Sequence, residues 1–540
     1  MIDNNVPLLK ERYRRVFIVD CMSGWNQYAG SYELAEDLVL TYDLGLMKYL
    51  QLQGGEVNFI DHLVDAGRMQ KNNYHVFDFF KTWHLDSQNG DIFTFKGVPF
   101  GFSFRLDIWN ELVYYSKLHL CLSVLKGVKY NELFISSSDG KLVSIVNKLG
   151  FKYIESSPNY SGNNSYYFPI TKWLNERLYP SGFRGLLLKV REIVTSIYGR
   201  FMPYIYSING SKNRNSVFIQ EYHPTRELLF RLRDEKKVNV LLENFTRGSK
   251  LGGNLAEQVI PIFGCKSKYK KISQELVSQF QSEKQARLVF DDGSEITSDI
   301  YEIIVEKVRE TIEDKLRILD CSINYIDNNN VNLEVLIANI GKMPTLFDCV
   351  CRKRNIPSYL IINGILGPVY SDDSKYASVI NSYSVSIKNN YFKGMDNVVV
   401  LGDPRMDMYP VLTQPKAINR KTPTVVIGAS GFSPVDLNSY VAIEFDFMFD
   451  VLSAMQELVK GGVGISVIIK VRPNGYRYQY KKFVDEFFPG LVDEIIDDKP
   501  MLMVLKRSDL YISINSQTLF EASCLGVPVV YYKKDCEVMV

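Results

Sequence analysis

The sequence predicts an α/β protein built on doubly wound parallel sheets. After residue 328, short apolar strands alternate regularly with amphipathic helices. Near the start, an apolar strand at 15–20 ends in a carboxylate, and the segment 133–140 is a strand that runs into a Ser-rich turn before a helix. Near the end, residues 508–532 are typical of a strand, a polar turn, a helix and a further strand. Repeated strand–helix alternation favours parallel strands, because the helix carries the chain back across the sheet.

Apolar runs and helical spacing place the individual elements. In the first half, strands are predicted at 15–20, 57–60, 133–140 and 238–242, and helices at 108–125, 141–149, 266–283 and 300–315. In the second half, strands are predicted at 333–337, 356–364, 383–387, 398–401, 424–427, 465–470, 510–514 and 529–532, and helices at 345–354, 445–460 and 519–525.

A chain of 540 residues is long enough for two or three domains. We predict one Rossmann-like domain over 1–412, with a helical insertion at about 170–325. A polar linker follows at 413–422, and a second Rossmann-like domain covers 423–540. The chain stops shortly after its last predicted strand, so we expect the second domain to be truncated.

Composition limits the classes of function. The net charge of +2 gives no general nucleic-acid footprint, so we predict no nucleic-acid partner. The eight cysteines lack framework spacing, which favours reduced, buried thiols in a cytoplasmic protein. No secretory signal and no run of membrane-spanning length is evident. No pattern typical of a metal site stands out, so we predict neither a metal nor another cofactor.

The polar turn after the strand at 510–514 is a candidate ligand site. Such a turn, at the carboxyl end of a parallel strand, is where open α/β sheets hold anionic ligands. Backbone N–H groups and hydroxyls there can face a phosphate, and a carboxylate one helical turn later can accept from a ribose hydroxyl. The candidates are Asn515, Ser516, Gln517, Thr518 and Glu521, joined by Lys470, Arg472 and Asn474 at another strand end. The alternatives are an ordinary capped helix and a solvated strand end.

Four segments in order resemble GT-B glycosyltransferases of bacterial surface polysaccharides, including the Kdo-type and CDP-glycerol glycerophosphotransferase families. The likeness covers roughly 330–532, and its motifs lie at 356–364, 402–407, 470–474 and 515–528. The resemblance implies two Rossmann-like domains facing a cleft, with Asn363, Gly364 and Arg405 near it. The chain departs from the family at Asn363 and Arg472, where those families commonly carry histidine. We expect Arg405 to form a local ion pair with Asp407.

A transferase needs a group that activates the acceptor or attacks the donor. We predict that this group is a strand-end carboxylate of the N-terminal half, with Asp139 first and Asp20 and Glu33 next. Asp139 lies in a turn of small residues, which lets a sugar approach the backbone. The alternative is that Asp139 only caps the helix after it. The Asp-Gly segment at 291–293 resembles an acidic motif of bacterial sialyltransferases, but a hairpin turn explains it equally well.

The resemblance therefore implies a glycosyltransferase that uses a nucleotide-sugar donor, with a CMP-linked ulosonic acid such as Kdo favoured, and a glycan or lipid-linked glycan acceptor. The alternatives are a CDP-glycerol-type polyol-phosphate transferase and a catalytically inactive GT-B scaffold. Residues 182–207 form an apolar stripe with basic edges. That pattern predicts peripheral contact with the inner face of the cytoplasmic membrane, and a helix packed in the core is the alternative.

Overall fold

The protein is described by a computed structural model, and the chain divides into two compact units. Unit 1 comprises Met1–Asn73, Val113–Pro180 and Tyr409–Val538, and unit 2 comprises Tyr74–Leu112, Ser181–Met408 and Met539–Val540. The residues that the structure describes are 9–137, 139–156, 215–233, 238–242, 257–259, 262, 264–337, 341–362, 364, 377–410, 421–429, 431, 443–472, 477–514 and 516–532.

Unit 1 contains a five-stranded parallel sheet, the N-terminal sheet, with the order β3-β2-β1-β6-β7. The strands up to residue 156 are β1 (Arg12–Val19), β2 (Leu38–Thr41), β3 (Val57–Phe59), β4 (Thr94–Phe95), β5 (Val98–Pro99), β6 (Lys129–Ser136) and β7 (Ile154–Glu155). The helices in this part are α1 (Met22–Trp25), α2 (Leu44–Leu52), α3 (Ala66–Thr82), α4 (Arg105–Ser123) and α5 (Gly140–Lys148). Strands β4 and β5 form a separate antiparallel hairpin in unit 2.

Unit 2 contains a seven-stranded parallel sheet, the middle sheet, with the order β10-β9-β8-β11-β12-β13-β14. Its strands are β8 (Asn215–Ile219), β9 (Val238–Leu242), β10 (Glu257–Val259), β11 (Val331–Ile337), β12 (Ser358–Ile361), β13 (Val379–Ser382) and β14 (Val398–Val400). Its helices are α6 (Arg226–Arg233), α7 (Lys270–Glu283), α8 (Thr297–Asn328), α9 (Lys342–Lys353) and α10 (Val385–Asn390).

Unit 1 also contains a second five-stranded parallel sheet, the C-terminal sheet, with the order β17-β16-β15-β18-β19. Its strands are β15 (Thr424–Gly428), β16 (Ser466–Lys470), β17 (Glu494–Ile496), β18 (Leu510–Ser513) and β19 (Val529–Tyr531). Its helices are α11 (Ile443–Lys460), α12 (Arg477–Phe487), α13 (Met501–Leu505) and α14 (Thr518–Cys524). All three sheets are parallel and doubly wound, so the predicted fold class is confirmed.

The apolar strands form because both faces of these sheets are covered. In β1, Val16, Phe17, Ile18 and Val19 are each at most 1% exposed. A continuous apolar run of this kind is typical of a parallel strand that is buried on both faces. The same composition explains why the predicted strands agree closely with β1, β3, β9 and β15.

The partition of the chain differs from the predicted single N-terminal domain over 1–412. Residues 12–155 and residues 215–400 build separate sheets, and these sheets belong to different units. The predicted helical insertion at about 170–325 also contains β8, β9 and β10 of the middle sheet, and of these strands only the one at 238–242 was predicted from the sequence. The apolar residues Phe218 and Ile219 of β8 and Val240, Leu241 and Leu242 of β9 are buried, and β11, which pairs with β8, lies beyond the predicted insertion.

One predicted strand is a helix instead. The pattern at 383–387 alternates polar and apolar residues, yet β13 ends at Ser382 and α10 begins at Val385. Ser384 caps this helix, because its hydroxyl accepts from the Ile387 N–H at 3.1 Å. A serine cap compensates for a free helical N–H, and here it outweighs the strand-like alternation.

Within unit 1, the N-terminal and C-terminal sheets are in contact through their helices and strand ends. The Lys48 ammonium of α2 lies 4.0 Å from the centre of the Phe449 ring of α11. At the end of β3, the Phe59 ring packs edge-on against Phe445, with 6.3 Å between centroids. Elements that follow the carboxyl ends of β2 and β3 therefore pack against α11, the helix that follows β15 in the described chain.

Two general properties concern the described residues. Within them, no helix is both long enough and apolar enough to cross a membrane. Of the seven cysteines in the described segments, all have free thiols and five are buried, whereas Cys265 is exposed and Cys524 is half-buried. The prediction of buried thiols was therefore wrong for these two positions, where the side chain lies at the surface.

Candidate functional site

Each sheet has one point at which its strand order reverses beside its first strand. In the N-terminal sheet this point lies between β1 and β6, and in the C-terminal sheet it lies between β15 and β18. The connections that follow the two neighbouring strands run to opposite sides at this point, which leaves a crevice at the carboxyl ends of the strands. Doubly wound proteins bind their ligands in such crevices. Both crevices of unit 1 are lined by polar residues predicted from the sequence.

The crevice of the N-terminal sheet holds two carboxylates. Asp20 follows β1 and Asp139 follows β6, and Ser137 connects them: its hydroxyl donates to Asp20 Oδ2 at 3.0 Å and accepts from the Asp139 N–H at 3.0 Å. The hydroxyl of Tyr114, on α4, donates to Asp139 Oδ2 at 2.7 Å. The structure thus brings together two of the three predicted catalytic carboxylates.

Asp139 is buried, and this environment raises the pKa of its carboxyl. Burial is the largest cause, and the nearby charge of Asp20 acts in the same direction, while the hydrogen bond from Tyr114 opposes it. Asp139 also caps α5 by accepting from the Lys141 N–H at 3.0 Å. Asp139 therefore has the capping role that the sequence suggested as an alternative. The cap uses Oδ1 of Asp139, and Oδ2 accepts from Tyr114. A carboxylate with a raised pKa suits proton transfer near neutral pH.

Glu33 is not part of this acidic crevice. It forms an ion pair with Arg14, which also contacts Asp37 at 2.9 Å. Arg14 lies near the amino end of β1, six residues before Asp20, so Glu33 is roughly 20 Å along the strand from the crevice. The structure therefore does not bring Glu33 together with Asp20 and Asp139, because strand position decides which edge of a sheet a residue serves.

The turn after β18 forms a small network of hydroxyls in the C-terminal sheet. Ser516 Oγ lies 2.7 Å from Thr518 Oγ1, and the Thr518 N–H donates to Ser516 Oγ at 3.4 Å. The hydroxyl of Tyr511, on β18, is hydrogen-bonded to Thr518 Oγ1. Gln517 is half-buried in the same turn, and Asn515 lies outside the described residues.

The basic side chains lie at the same edge, at the end of β16 and just after it. The Lys470 ammonium donates to the Val471 carbonyl at 2.8 Å, and burial lowers the pKa of this lysine. Arg472 is exposed, and Asn474 lies outside the described residues. Because Lys470 of β16 and Ser513 of β18 both pair with Gly428 of β15, the two strand ends are roughly 10 Å apart across the sheet. That span suits a ligand that reaches across two strand ends.

The turn after β15 is a part of the site that the sequence reasoning missed. A Cβ atom added at Gly428 would lie 1.9 Å from the Tyr511 hydroxyl, so this position requires glycine. The Gly431 N–H donates at 2.9 Å to the buried hydroxyl of Tyr480, which in turn donates to the buried Glu444. The signal was present in the sequence, since two glycines three residues apart end a predicted strand.

Glu521 was predicted to accept from a ribose hydroxyl. In the structure it lies in the first turn of α14, is 8% exposed, and accepts a hydrogen bond on Oε2 from the Tyr409 hydroxyl. No sequence feature connects these two residues, which are 112 positions apart. The carboxylate is therefore buried and held in place at the edge where it was expected.

The predicted cleft residues belong to the middle sheet. Gly364 follows β12 and has a φ of +90°, whereas Asn363 lies outside the described residues. The expected ion pair between Arg405 and Asp407 was wrong. Arg405 contacts Asp403 at 3.0 Å, and Asp407 contacts Arg231 at 3.0 Å. A tight turn points the Asp403 carboxylate back at the Arg405 N–H, and this fixes the first pair.

The remaining candidates do not add to a site. The Asp291 segment forms a hairpin-like turn in which Gly293 has a φ of +79°, as one of the two predicted alternatives required. Asp291 itself pairs with His75 at 2.8 Å. The predicted membrane-contact segment 182–207 lies outside the described residues. Across the described part of the chain, no group of three or more His, Cys, Asp or Glu residues could hold a metal ion.

The fold and the two crevices thus define a doubly wound α/β protein with two polar strand-end crevices in unit 1. Neither a protein-family model nor a curated protein matches the sequence. Among solved structures, MurG from Acinetobacter baumannii is similar with a TM-score of 0.33 and 11% identity, covering 60% of this chain and 80% of that chain. A TarM variant from S. aureus, in complex with fondaparinux, α-GlcNAc-glycerol and UDP, is similar with a TM-score of 0.32 and 10% identity. The similarity covers 59% of this chain and 85% of that chain.

A third similar structure is an epimerase. The UDP-N-acetylglucosamine 2-epimerase from Rickettsia bellii gives a TM-score of 0.30 and 10% identity, covering 58% of this chain and 78% of that chain. At TM-scores and identities this low, such similarities carry no argument about function. The functional argument therefore depends on the residues of this chain.

Proposed function

We propose that the protein is a nucleotide-sugar-dependent glycosyltransferase of the GT-B type, with its donor site at the reversal point of the C-terminal sheet. The observation that carries this proposal is the convergence of three polar strand ends. Glycines lie at the end of β15 and just after it, Lys470 ends β16 and Arg472 follows it, and a hydroxyl turn follows β18. Backbone N–H groups, cations and hydroxyls together suit a diphosphate or monophosphate bound to a ribose.

The chemistry of glycosyl transfer fits this distribution of groups. As the bond from the anomeric carbon to the phosphate breaks, negative charge develops on the leaving phosphate. Lys470 and Arg472 can stabilise this charge, and the lowered pKa of Lys470 does not remove its capacity to donate hydrogen bonds. In this proposal Ser516 and Thr518 hold the phosphate oxygens, and Glu521 accepts from the ribose.

The acidic crevice of the N-terminal sheet supplies the second half of the reaction. We assign Asp139 as the general base or nucleophile. In this proposal the charge of the neighbouring Asp20 carboxylate contributes to the raised pKa of Asp139. Support comes from the shared unit of the two sheets and from the packing of α2 and β3 ends against α11. In the base role, Asp139 takes the proton of the acceptor hydroxyl while that oxygen attacks the anomeric carbon and the nucleotide leaves.

The finer assignment follows the sequence resemblance. We propose a CMP-linked ulosonic acid such as Kdo as donor and a growing cell-surface glycan or lipid-linked glycan as acceptor. The reaction as proposed uses the nucleotide-sugar as substrate and no further cofactor. A panel of CMP-, UDP-, GDP- and CDP-activated donors, compared by thermal shift and calorimetry, identifies the nucleotide.

The decisive experiment removes two groups of the donor site at once. Arg472→Ala with Ser516→Ala should abolish binding of the donor identified in the panel and leave the unfolding temperature unchanged, because Arg472 is exposed and Ser516 lies in a turn. Lys460→Ala with Ser282→Ala is a matched control, since both side chains are exposed and neither residue belongs to a strand end of the C-terminal sheet. Unchanged donor affinity in the first double variant would refute the assignment.

A catalytically inactive scaffold would bind the donor in the same way. Incubation of the donor without acceptor distinguishes an active glycosyltransferase from an inactive scaffold, because an active site that holds water near Asp139 slowly hydrolyses the donor. We expect measurable hydrolysis by the unmodified protein and its loss in Asp139→Asn. Tight donor binding without any hydrolysis or transfer would favour the scaffold.

A further inference from the structure

Basic side chains from several elements of unit 2 surround two carboxylates of α8. Asp314 contacts three of these cations, and Asp320 contacts two. The cations come from the β4–β5 hairpin, the turn before α7, α8 itself and the start of α9. They form the basic patch, which consists of Lys96, Lys266, Lys268, Arg317 and Lys342.

The basic patch carries more positive charge than its carboxylates neutralise. Five cations that face two carboxylates leave an excess of three positive charges. Exposed Lys270 adds one charge, and half-buried Glu313, near Cys265, removes one. The side chains of Asp314 and Asp320 are only 15% and 8% exposed, whereas those of the four lysines are between 40% and 70% exposed. The patch therefore presents ammonium groups to the solvent, above its carboxylates.

The surroundings of the basic patch limit the kind of partner that it suits. The described residues 264–337 expose no large apolar side chain. Single-stranded nucleic acids bind largely by stacking their bases on aromatic side chains, which this surface does not offer. A lysine ammonium is a compact charge without a fixed planar geometry. Several such charges suit anions that can move sideways to meet them, as the headgroups of a fluid bilayer do.

We propose that the basic patch docks on the surface of an anionic lipid bilayer. The contact is electrostatic, with the ammonium groups at the level of the headgroups and no element inserted into the hydrocarbon. This surface is separate from the segment 182–207, and it does not depend on the proposed donor site. Each lysine near an anionic leaflet strengthens binding roughly fivefold. Salt screens such charges over about 10 Å, so binding should weaken as the salt concentration rises.

The experiment measures binding of the full chain to vesicles by co-sedimentation. Vesicles made of equal parts phosphatidylcholine and phosphatidylserine should bind the protein, and vesicles of phosphatidylcholine alone should not. The triple variant Lys266→Gln, Lys268→Gln and Lys270→Gln should bind the anionic vesicles roughly a hundredfold more weakly, because three charges are removed.

The triple variant should remain folded, because each carboxylate keeps other partners. Asp314 keeps Lys342 at 3.0 Å, and Asp320 keeps the Tyr269 hydroxyl at 2.7 Å. A matched control makes the same change in net charge at exposed lysines outside the hairpin, α7, α8 and α9. This control variant, which should bind like the unmodified protein, combines Lys393→Gln, Lys421→Gln and Lys460→Gln.

A second measurement uses the exposed thiol of Cys265, which directly precedes Lys266 of the basic patch. Its alkylation by a water-soluble maleimide, followed in this peptide by mass spectrometry, should slow several-fold in the presence of anionic vesicles. Vesicles of phosphatidylcholine alone should leave the rate unchanged. This measurement needs no variant and therefore remains decisive if the triple variant does not fold.

Three results would overturn the inference. They are failure of the unmodified protein to bind anionic vesicles, equal binding by the triple variant, and an unprotected Cys265 in the bound protein. Retention of the unmodified protein on heparin, without binding to any vesicle, would replace the bilayer by a soluble polyanion. None of these results bears on the donor site, because the assays contain no nucleotide.

Discussion

The N-terminal and C-terminal sheets of unit 1 share a strand order but not a chemistry. Both reverse beside their first strand, and both place polar residues at the carboxyl ends of their strands. The N-terminal crevice is acidic, with Asp20 and Asp139 linked through Ser137. The C-terminal crevice carries glycines, basic residues and hydroxyls. Strand order therefore locates a ligand site, and the residues at the strand ends decide which ligand it suits.

The two crevices also differ in how their polar groups are held. In the N-terminal crevice, Asp20 accepts a hydrogen bond from the Ser137 hydroxyl and Asp139 accepts one from the Tyr114 hydroxyl. Asp139 is also the cap of α5. In the C-terminal crevice, two buried pairs, Tyr480 with Glu444 and Tyr409 with Glu521, lie beneath the turns. The first arrangement tunes a pKa, whereas the second fixes the geometry of a binding surface. The predictions below test this division, beginning with the largest effect.

Asp139→Asn should lower the rate of transfer by about a hundredfold to ten-thousandfold, the usual contribution of a positioned base. Stability should be nearly unchanged, because asparagine caps a helix about as well as aspartate. Initial rates with saturating donor, together with thermal unfolding, measure both effects. Asp65→Asn is the control, since Asp65 accepts from the Arg68 N–H at 2.8 Å as a similar cap elsewhere. Near-normal turnover in Asp139→Asn would reduce Asp139 to a cap and assign the base to Asp20.

Gly428→Ala should lower the free energy of unfolding by about 1–3 kcal/mol, the typical cost of overpacking. The added methyl group would meet the Tyr511 hydroxyl, and Tyr511 is 1% exposed and cannot easily move. Donor affinity should fall as well, because Tyr511 is hydrogen-bonded to Thr518. Urea unfolding and calorimetry measure the two changes.

Gly140→Ala is the matched change at the other crevice. Nothing lies within 4 Å of the position that its Cβ would take, and Gly140 is the first residue of α5. Alanine should therefore be neutral or stabilising by up to about 1 kcal/mol. Equal destabilisation by both glycine substitutions would contradict the view that the two edges are packed differently.

Asp43→Asn tests the contact between the two sheets through its pH dependence. Burial raises the pKa of Asp43 from 3.8 to about 6 in the folded chain, and Lys482 of α12 opposes that rise. The folded chain thus keeps a proton that the unfolded chain releases, so stability falls as the pH rises from about 4 to 6. Asparagine still accepts from the Leu46 N–H, at 2.8 Å in the native pair, and carries no charge.

The variant should match the unmodified protein near pH 4 and exceed its stability at pH 7 by up to about 3 kcal/mol. Unfolding by urea across this range gives the difference curve. A variant that is less stable than the unmodified protein at pH 7 would show that the Asp43 charge stabilises the contact.

Tyr114→Phe should give the smallest effect, a displacement of the pH–rate profile. The tyrosine hydroxyl donates to ionised Asp139 and lowers its pKa, so its removal should raise that pKa further. If Asp139 acts as a base, the acidic limb of kcat/KM moves to higher pH. Tyr130→Phe, near the opposite end of β6, should leave the profile in place. A shift to lower pH in Tyr114→Phe would contradict the proposed role.

Local patterns were sufficient for most elements and for much of both crevices. Buried strands such as β1, β9 and β15 are continuous apolar runs. A polar residue that directly follows such a run lies at the carboxyl end of the strand, whichever strands it pairs with. That is why Asp20, Asp139, Lys470 and Ser516 were found at crevice edges. The alternation at 383–387 failed as a guide, because a single serine cap was enough to favour a helix there.

The sequence by itself determined the α/β class, the positions of the strands and the residue types at their carboxyl ends, because these depend on short-range periodicity. The tertiary structure decided which strands share a sheet. It divided 12–400 between two sheets, removed Glu33 from the acidic crevice and paired Asp407 with Arg231. It also brought Tyr409 to Glu521 across 112 residues. Such pairings depend on the path of the chain between elements, and no local pattern records that path.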